Sequence, residues 1–342
     1  MKKSYLLLAG LALMSAFTAC SNEDEMKAVA QAEGTPLVIE SVGVAEVGTK
    51  AGILGTSFAN GAQLGIFLNN GDLGSAYNAS GEASVTTNVY YTKGETNWTW
   101  EKAIMLSSTA GTVRAYYPYK SDYDGTGVDV PVAVSATQNA LAAADDQTDY
   151  MYATKVTEIS NAQGKSTIAT LKMNHALAMV TFKFKNSTDK PYVGAGKVSE
   201  IKLFNNSPET KAVIKTGAGT MNIDNGSINI AGDAATAGIT TTIAEGNQSL
   251  VGINEKTELP HLLIYPQAVS GDIAEGDVKV TITVDGSKYT LGLPALSGGF
   301  VRANNYVYEF TLEGTQLTIT NVEIADWTDK PQTGGTISRP DA

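Results

Sequence analysis

The chain has 342 residues, 43% of them hydrophobic and only 17% charged, with a formal net charge of −11. That is apolar material for a sizeable core and more length than one typical domain needs, so two domains are the default. The acidic balance leaves no basic stripe to neutralise phosphates, which argues against nucleic-acid binding, and the single cysteine excludes an intramolecular disulfide or a multi-cysteine metal site.

The N-terminus reads as a signal peptide over residues 1–19. Lys2 and Lys3 form a positive start, Tyr5 to Met14 an apolar stretch, and Phe17-Thr18-Ala19-Cys20 closes it. The apolar run is shorter than the roughly 20 residues that cross a bilayer, so it is a poor permanent membrane helix. Ala19 directly before Cys20 resembles a lipobox, with Phe17 where Leu is usual, and makes Cys20 the expected lipidation site; an ordinary thiol beside a different cleavage site is the alternative. Residues 20–36 follow as a flexible acidic tether. Ser21-Asn22-Glu23-Asp24-Glu25 resembles the acidic stretch that sends some outer-membrane lipoproteins to the cell surface, and it serves equally as a solvated linker.

From Pro36 the texture changes to short apolar segments punctuated by Gly, Asn, Asp and Pro, the spacing of strands in a β-sandwich. Strands are expected at Leu37-Val38-Ile39, Gln63 to Leu68, Ser84 to Tyr91, Thr112 to Tyr117 and Val128 to Val134. A weak helical signal covers Thr137 to Ala144. Val180 to Lys185 alternates strictly, and Asn186-Ser187-Thr188-Asp189-Lys190-Pro191 breaks it, placing the domain boundary there: 37–187 and 188–342. The second half continues with Val198 to Phe204, Ala212-Val213-Ile214, Met221 to Ile223, Ile228 to Ile230, His261 to Tyr265, Val278 to Val284 and Tyr306 to Leu312. Asp285-Gly286 between two alternating runs is the clearest hairpin signal.

No catalytic constellation is legible in the sequence. The two histidines are far apart in sequence, and each reads as a core residue satisfied by backbone: His175 at the start of a buried strand, His261 after Pro260. No nucleophile elbow, phosphate loop or paired-histidine zinc motif is present, so neither enzyme activity nor a cofactor is expected. Asp122 to Asp129, with alternating Asp and Gly, and Asp145-Asp146 with Asp149 hold oxygen ligands, but EF-hand spacing is lacking and solvated turns explain them. Tyr90, Tyr91, Trp98 and Trp100 lie close enough to stack on a sugar; cross-strand packing is the commoner cause of such a cluster.

Gly61 to Phe67, Val113 to Tyr119, Asp149-Tyr150-Met151-Tyr152-Ala153 and Met173-Asn174-His175-Ala176-Leu177-Ala178, behind a lipoprotein start, together resemble the fimbrillin-like proteins, the type V pilins of Bacteroides-type bacteria. The resemblance implies an all-β fold of two tandem transthyretin-like β-sandwich domains and a structural or accessory subunit of cell-surface fimbriae supporting adhesion. It implies an outer-membrane lipid anchor, other fimbrial subunits as partners, and a processing protease that removes a first strand. Val47 to Gly52 stands where that cleavage loop falls, making Lys50 and Ala51 the expected processing site, with Lys50 in place of a common Arg. A neighbouring subunit then fills the emptied groove by β-augmentation. Leu317, Ile319, Val322, Ile324 and Trp327 form the candidate donor strand, and they serve equally as the last strand of their own domain. A monomeric surface lipoprotein binding a glycan or a host protein is the alternative reading.

Overall fold

Alternation decides most of the elements. The computed structural model describes residues 35–44, 53–54, 57–78, 85–123, 128–139, 148–208, 211–232, 234–243, 259–267 and 271–327, and among them every regular element is a β-strand. The first are β1 (Thr35–Pro36), β2 (Val38–Val44), β3 (Ile53–Leu54), β4 (Ser57–Phe58), β5 (Gln63–Asn69), β6 (Val89–Lys93), β7 (Trp98–Thr99), β8 (Met105–Leu106) and β9 (Gly111–Tyr117). The middle supplies β10 (Asp129–Val134), β11 (Thr137–Gln138), β12 (Met151–Thr154), β13 (Val156–Ile159), β14 (Ile168–His175) and β15 (Ala178–Asn186). Then come β16 (Val198–Asn205), β17 (Gly217–Asn222), β18 (Ile228–Ile230), β19 (Ile239–Thr242), β20 (His261–Ile264), β21 (Val278–Val284), β22 (Ser287–Gly292), β23 (Asn304–Glu313) and β24 (Gln316–Asp326). In β10 the period of two is plain: Val130, Val132 and Val134 are buried while Asp129, Pro131 and Ala133 face solvent.

One large sheet runs β2-β14-β12-β9-β5-β6-β7, with β13 also on β9. Its pairs are antiparallel except the edge pair β2–β14, which is parallel. Gly65 in β5 is required there, because a Cβ would fall 2.0 Å from the Tyr116 ring of β9. The later chain builds sheets β20-β15-β23-β24, β11-β19-β16-β21-β22 and β10-β17-β18. Phe182, Phe184 and Phe310 from the first of these, and Ile201, Leu203 and Ile282 from the second, belong to one continuous buried cluster.

The chain does not keep its halves separate. β10 and β11 leave the large sheet to pair with β17 and β19, β12 to β14 return to it, and β15 leaves again to pair with β20 and β23. The alternating strand that closes the expected first domain is thus paired with strands of the second half. The breaker at Asn186 to Pro191 ends that strand, as its composition requires, but a breaker carries no information about which sheet the strand joins. Thr137 and Gln138, expected as the start of a helix, form the short β11; the rest of that expectation lies outside the described residues.

The Asp285-Gly286 hairpin forms as expected, with Val284 opposite Ser287 and both turn residues at positive φ, 45° and 80°, as a two-residue type I′ turn needs. Ala212-Val213-Ile214 is buried in part but is not a strand. The Asn205 side chain takes a strand's place: its Oδ1 accepts from the N–H groups of Val213 and Ile214 at 2.8 and 2.7 Å, and its Nδ2 donates to the Ile214 carbonyl at 2.7 Å. A side-chain amide substituting for ladder bonds satisfies the backbone without a period of two.

Candidate strand-exchange site

The N-terminal strand is held by an edge and by what it buries. Leu37 and Ile39 are essentially inaccessible and Val44 is buried. The Leu37 N–H donates to the Ile104 carbonyl at 2.8 Å, its carbonyl accepts from the Tyr91 hydroxyl at 3.0 Å, and the Val38 N–H donates to Thr167 at 3.0 Å. Burial raises the Tyr91 phenol's pKa, keeping it a neutral donor to that carbonyl. From Val38 the strand runs parallel to β14, Val38 opposite Ile168 and Val44 opposite Met173. The register shifts once: Ile39 faces Ala169 but Ser41 faces Thr170, so Glu40 is an extra residue. The bulge changes parity, turning Ile39 inward before it and Val44 after it, with Val42 half-buried.

The C-terminal segment lies at the edge of another sheet. β24 is antiparallel to β23, with Leu317 opposite Leu312, Ile319 opposite Phe310, Val322 opposite Tyr308 and Ile324 opposite Tyr306. Leu317, Val322 and Trp327 are buried, while Ile319 and Ile324 are half-buried against the core. This strand also carries one bulge, at Thr320 between Ile319 and Asn321. In this structure the candidate donor residues therefore occupy their own chain's sheet.

Trp327 joins the two sheet systems. Its backbone N–H donates to the Ala303 carbonyl at 2.9 Å, and its ring stacks on His175 at the end of β14, centroids 4.1 Å apart and planes 13° from parallel. His175 Nδ1 is 2.8 Å from the Asp149 carboxylate. His175 was expected to bond to backbone; its partner is instead a carboxylate brought in by β12, where Met151 pairs with His175. Nε2 of His175 and Nε1 of Trp327 are buried without a hydrogen-bond partner among the described residues. Burial first, and the nearby Asp149 carboxylate second, push the Tyr117 phenol above its ordinary pKa. Sequence order could not reveal this cluster, because Asp149, His175 and Trp327 meet only through strand pairing.

A second contact between the sheet systems was not foreseen either. Arg114 of β9, almost wholly buried, donates from Nε to Asp224 in the β17–β18 turn at 2.7 Å and from Nη2 to the Gly71 carbonyl at 3.0 Å. His261 is a buried histidine on backbone, Nδ1 being 3.1 Å from the Leu259 carbonyl.

The aromatic group divides. Tyr91 and Trp98 are buried, against Trp100 and Phe58 respectively, while Tyr90 is half-buried, packs on Tyr119 with centroids 5.2 Å apart and donates to Glu101. Among the described residues no three His, Cys, Asp or Glu side chains gather as a metal site. Cys20, Lys50 and Ala51 lie outside the described residues, as do Asp124, Asp145 and Asp146.

No curated protein matches the chain. Among solved structures, a candidate cell adhesion protein from Bacteroides ovatus superposes with a TM-score of 0.62 at 18% identity, over 87% of this chain and 99% of that one. Another from Bacteroides uniformis gives a TM-score of 0.57 at 18% identity, over 86% and 99%. At such identities the likeness is one of fold. The model of a family described as fimbrillin-like matches residues 49–327, from beyond the end of β2 to the stacked Trp327. A match over that span, on an all-β chain with two edge strands, means that the protein belongs to the fimbrillin-like family.

Proposed function

We propose that the protein is a subunit of surface fimbriae, exported as a lipoprotein through Cys20, and that it polymerises by strand exchange after cleavage at Lys50. The observation that carries the reading is the seat of β2. This strand buries Leu37, Ile39 and Val44 at a sheet edge, yet its only covalent link onward runs through residues 45–52, the stretch that holds Lys50. A cut there would leave β1 and β2 attached to the fold by non-covalent contacts alone. Their departure would bare the edge of β14 and an apolar groove, which a donor strand satisfies with main-chain bonds and alternate side chains. Two sandwiches, the second drawing β10 and β11 from the first half of the chain, would form the repeating unit, and adhesion would follow from the fibre at the outer membrane.

The test uses the chain from Ser21 onward, expressed without lipid and exposed to a trace of trypsin. The expected result is a new N-terminus at Ala51 together with multimers that survive mild SDS gels, and neither in Lys50→Gln. Cleavage at Lys50 that leaves only monomers under all mixing conditions would sink the exchange reading, whereas resistance at Lys50 in a folded chain would sink the processing site.

A further inference from the structure

Arg302 is held by two other parts of the chain and paired with no acid. It lies half-buried in the loop between β22 and β23, and its Nη1 donates to the Asn225 carbonyl of the β17–β18 turn at 2.6 Å. Its guanidinium stands over the Tyr152 ring of β12, 5.6 Å from the centroid. Gly226 of the same turn presses on that ring from φ +69°, since a Cβ there would fall 2.0 Å from it. The residue after Arg302, Ala303, has φ +59°, a conformation that residues with a Cβ seldom adopt outside functional or special turns. The Ala303 N–H donates to the Leu177 carbonyl and its own carbonyl accepts from the backbone N–H of Trp327, so the turn is fixed from both sides. A guanidinium carries five donors. Among the described residues no carboxylate forms an ion pair with Arg302 or with Lys172, and the acid of the turn, Asp224, already accepts from Arg114 at 2.7 Å. A chain of net charge −11 has acids to spare for a structural partner and directs none here.

The sheet face beside Arg302 is polar. Tyr152 pairs with Asn174 of β14 and exposed Thr154 with exposed Lys172. Asn174 donates from Nδ2 to the Thr154 hydroxyl at 3.1 Å, which leaves its Oδ1 without a donor among the described residues. Val301, directly before Arg302, is 45% exposed. We infer that this seam binds a carboxylate-bearing sugar with an N-acyl group, the chemistry of a sialic acid. The open edge of the guanidinium takes the carboxylate in two parallel bonds, and Lys172 adds positive charge. Asn174 and Thr154 meet the sugar hydroxyls, and Val301 receives the acyl methyl. A neutral sugar would cover the fork and leave it unpaired. A protein partner fits this surface poorly, because such an interface is anchored on an apolar centre. Of the exposed large hydrophobics only Val301 is here; Ile168 stands at the other end of β14, roughly 20 Å from Asn174 at the rise of a strand. The inference concerns what the surface holds and stands whether or not the chain polymerises.

The test titrates the uncut chain from Ser21 with sialyllactose, with lactose as the control, by calorimetry and saturation-transfer NMR. Saturable binding is expected for sialyllactose and none for lactose, with transfer strongest at the N-acetyl methyl and the sialic acid ring. Arg302→Lys keeps the charge and loses the fork, and it should weaken binding at least about tenfold. Lys172→Gln should weaken it about twofold, as removal of an exposed charge does. Circular dichroism identical to the parent's shows that each variant is folded, and the transfer pattern on the unaltered chain needs no variant. No saturable binding of sialyllactose, or equal binding of lactose, overturns the site. So does an Arg302→Lys chain that binds like the parent, which would reduce the effect to general charge attraction. Transfer concentrated on the lactose part overturns the placement of the acid at Arg302. Competition by hexaglutamate at equal concentration overturns the sugar in favour of an acidic protein segment.

Discussion

The ring of Trp327 lies on that of His175, so the residue just past the last strand is seated on β14, the strand that carries β2. Trp327 is 3% exposed and its indole N–H has no acceptor among the described residues. What the side chain contributes is therefore stacking and burial. Trp327→Ala should lower stability by about 3 kcal/mol, as deletion of a buried aromatic does. Trp327→Phe keeps a ring and removes an orphaned donor, so it should stay within about 1 kcal/mol of the parent. Urea unfolding checks both, and equal losses in the two variants would show that the indole nitrogen is satisfied after all.

Arg114 and Asp224 form a bond between the sheet systems in which the guanidinium side chain is 2% exposed and the carboxylate 34%. Removing the carboxylate strands a buried charge. Asp224→Ala is expected to cost about 3 kcal/mol in thermal or chemical unfolding, and Arg114→Met less, because methionine leaves no uncompensated cation behind.

Gln138 closes the outer edge of β20. Its Nε2 donates to the Leu263 carbonyl at 2.8 Å and its Oε1 accepts from the Leu263 N–H at 2.9 Å. Gln138→Ala should lose about 2 kcal/mol and open an unpaired edge, raising the tendency to aggregate near the unfolding midpoint. Light scattering during a thermal ramp reads the second effect separately from the first.

Asp285 sits in the type I′ turn and accepts from the N–H groups of Lys197 and Gly196 and from the Tyr192 hydroxyl. The Lys197 N–H first, and then the Tyr192 and Gly196 donors, hold its carboxyl below the ordinary value of 3.8. A folded-state pKa below the unfolded one contributes stability above the unfolded value and loses it as pH falls through the folded one. Asp285→Asn tolerates positive φ and keeps the turn, so it should be less stable than the parent at pH 7, with the gap narrowing as pH drops below 3.8. A melting-temperature difference independent of pH would remove the carboxylate's charge from the account. The group is nearly fully exposed, which keeps the effect small.

Local chemistry made much of the strand inventory legible. Val278 to Val284 could be read because its period of two meets a dipeptide that admits positive φ, and Val130, Val132 and Val134 because nothing interrupts their alternation. Three kinds of feature stayed hidden. The excursion of β10 and β11 is a long-range pairing choice that composition does not encode. Ala212 to Ile214 is apolar without being a strand, since Asn205 completes its hydrogen bonds from outside the segment. The bulges of the two edge strands, at Glu40 and Thr320, stay hidden because a strict period of two cannot find them. Each strand breaks parity at its bulge, and only the pairing registers show where. For the candidate site, the two segments were visible as apolar runs, whereas Asp149, His175 and Trp327 come from stretches that touch only after folding.

The three crossings between sheet systems bear on how the chain folds as it is made. Synthesised N-terminus first, β9 cannot complete its sheet until β12 to β14 appear, by which time Asp129 to Gln138 has already emerged ahead of the strands it pairs with. Those residues pair with strands that begin at Gly217 and Ile239, well behind them in the queue. A stretch of bare edge with valines at every second position must therefore wait unpaired, the interval in which a holding chaperone has the most to protect.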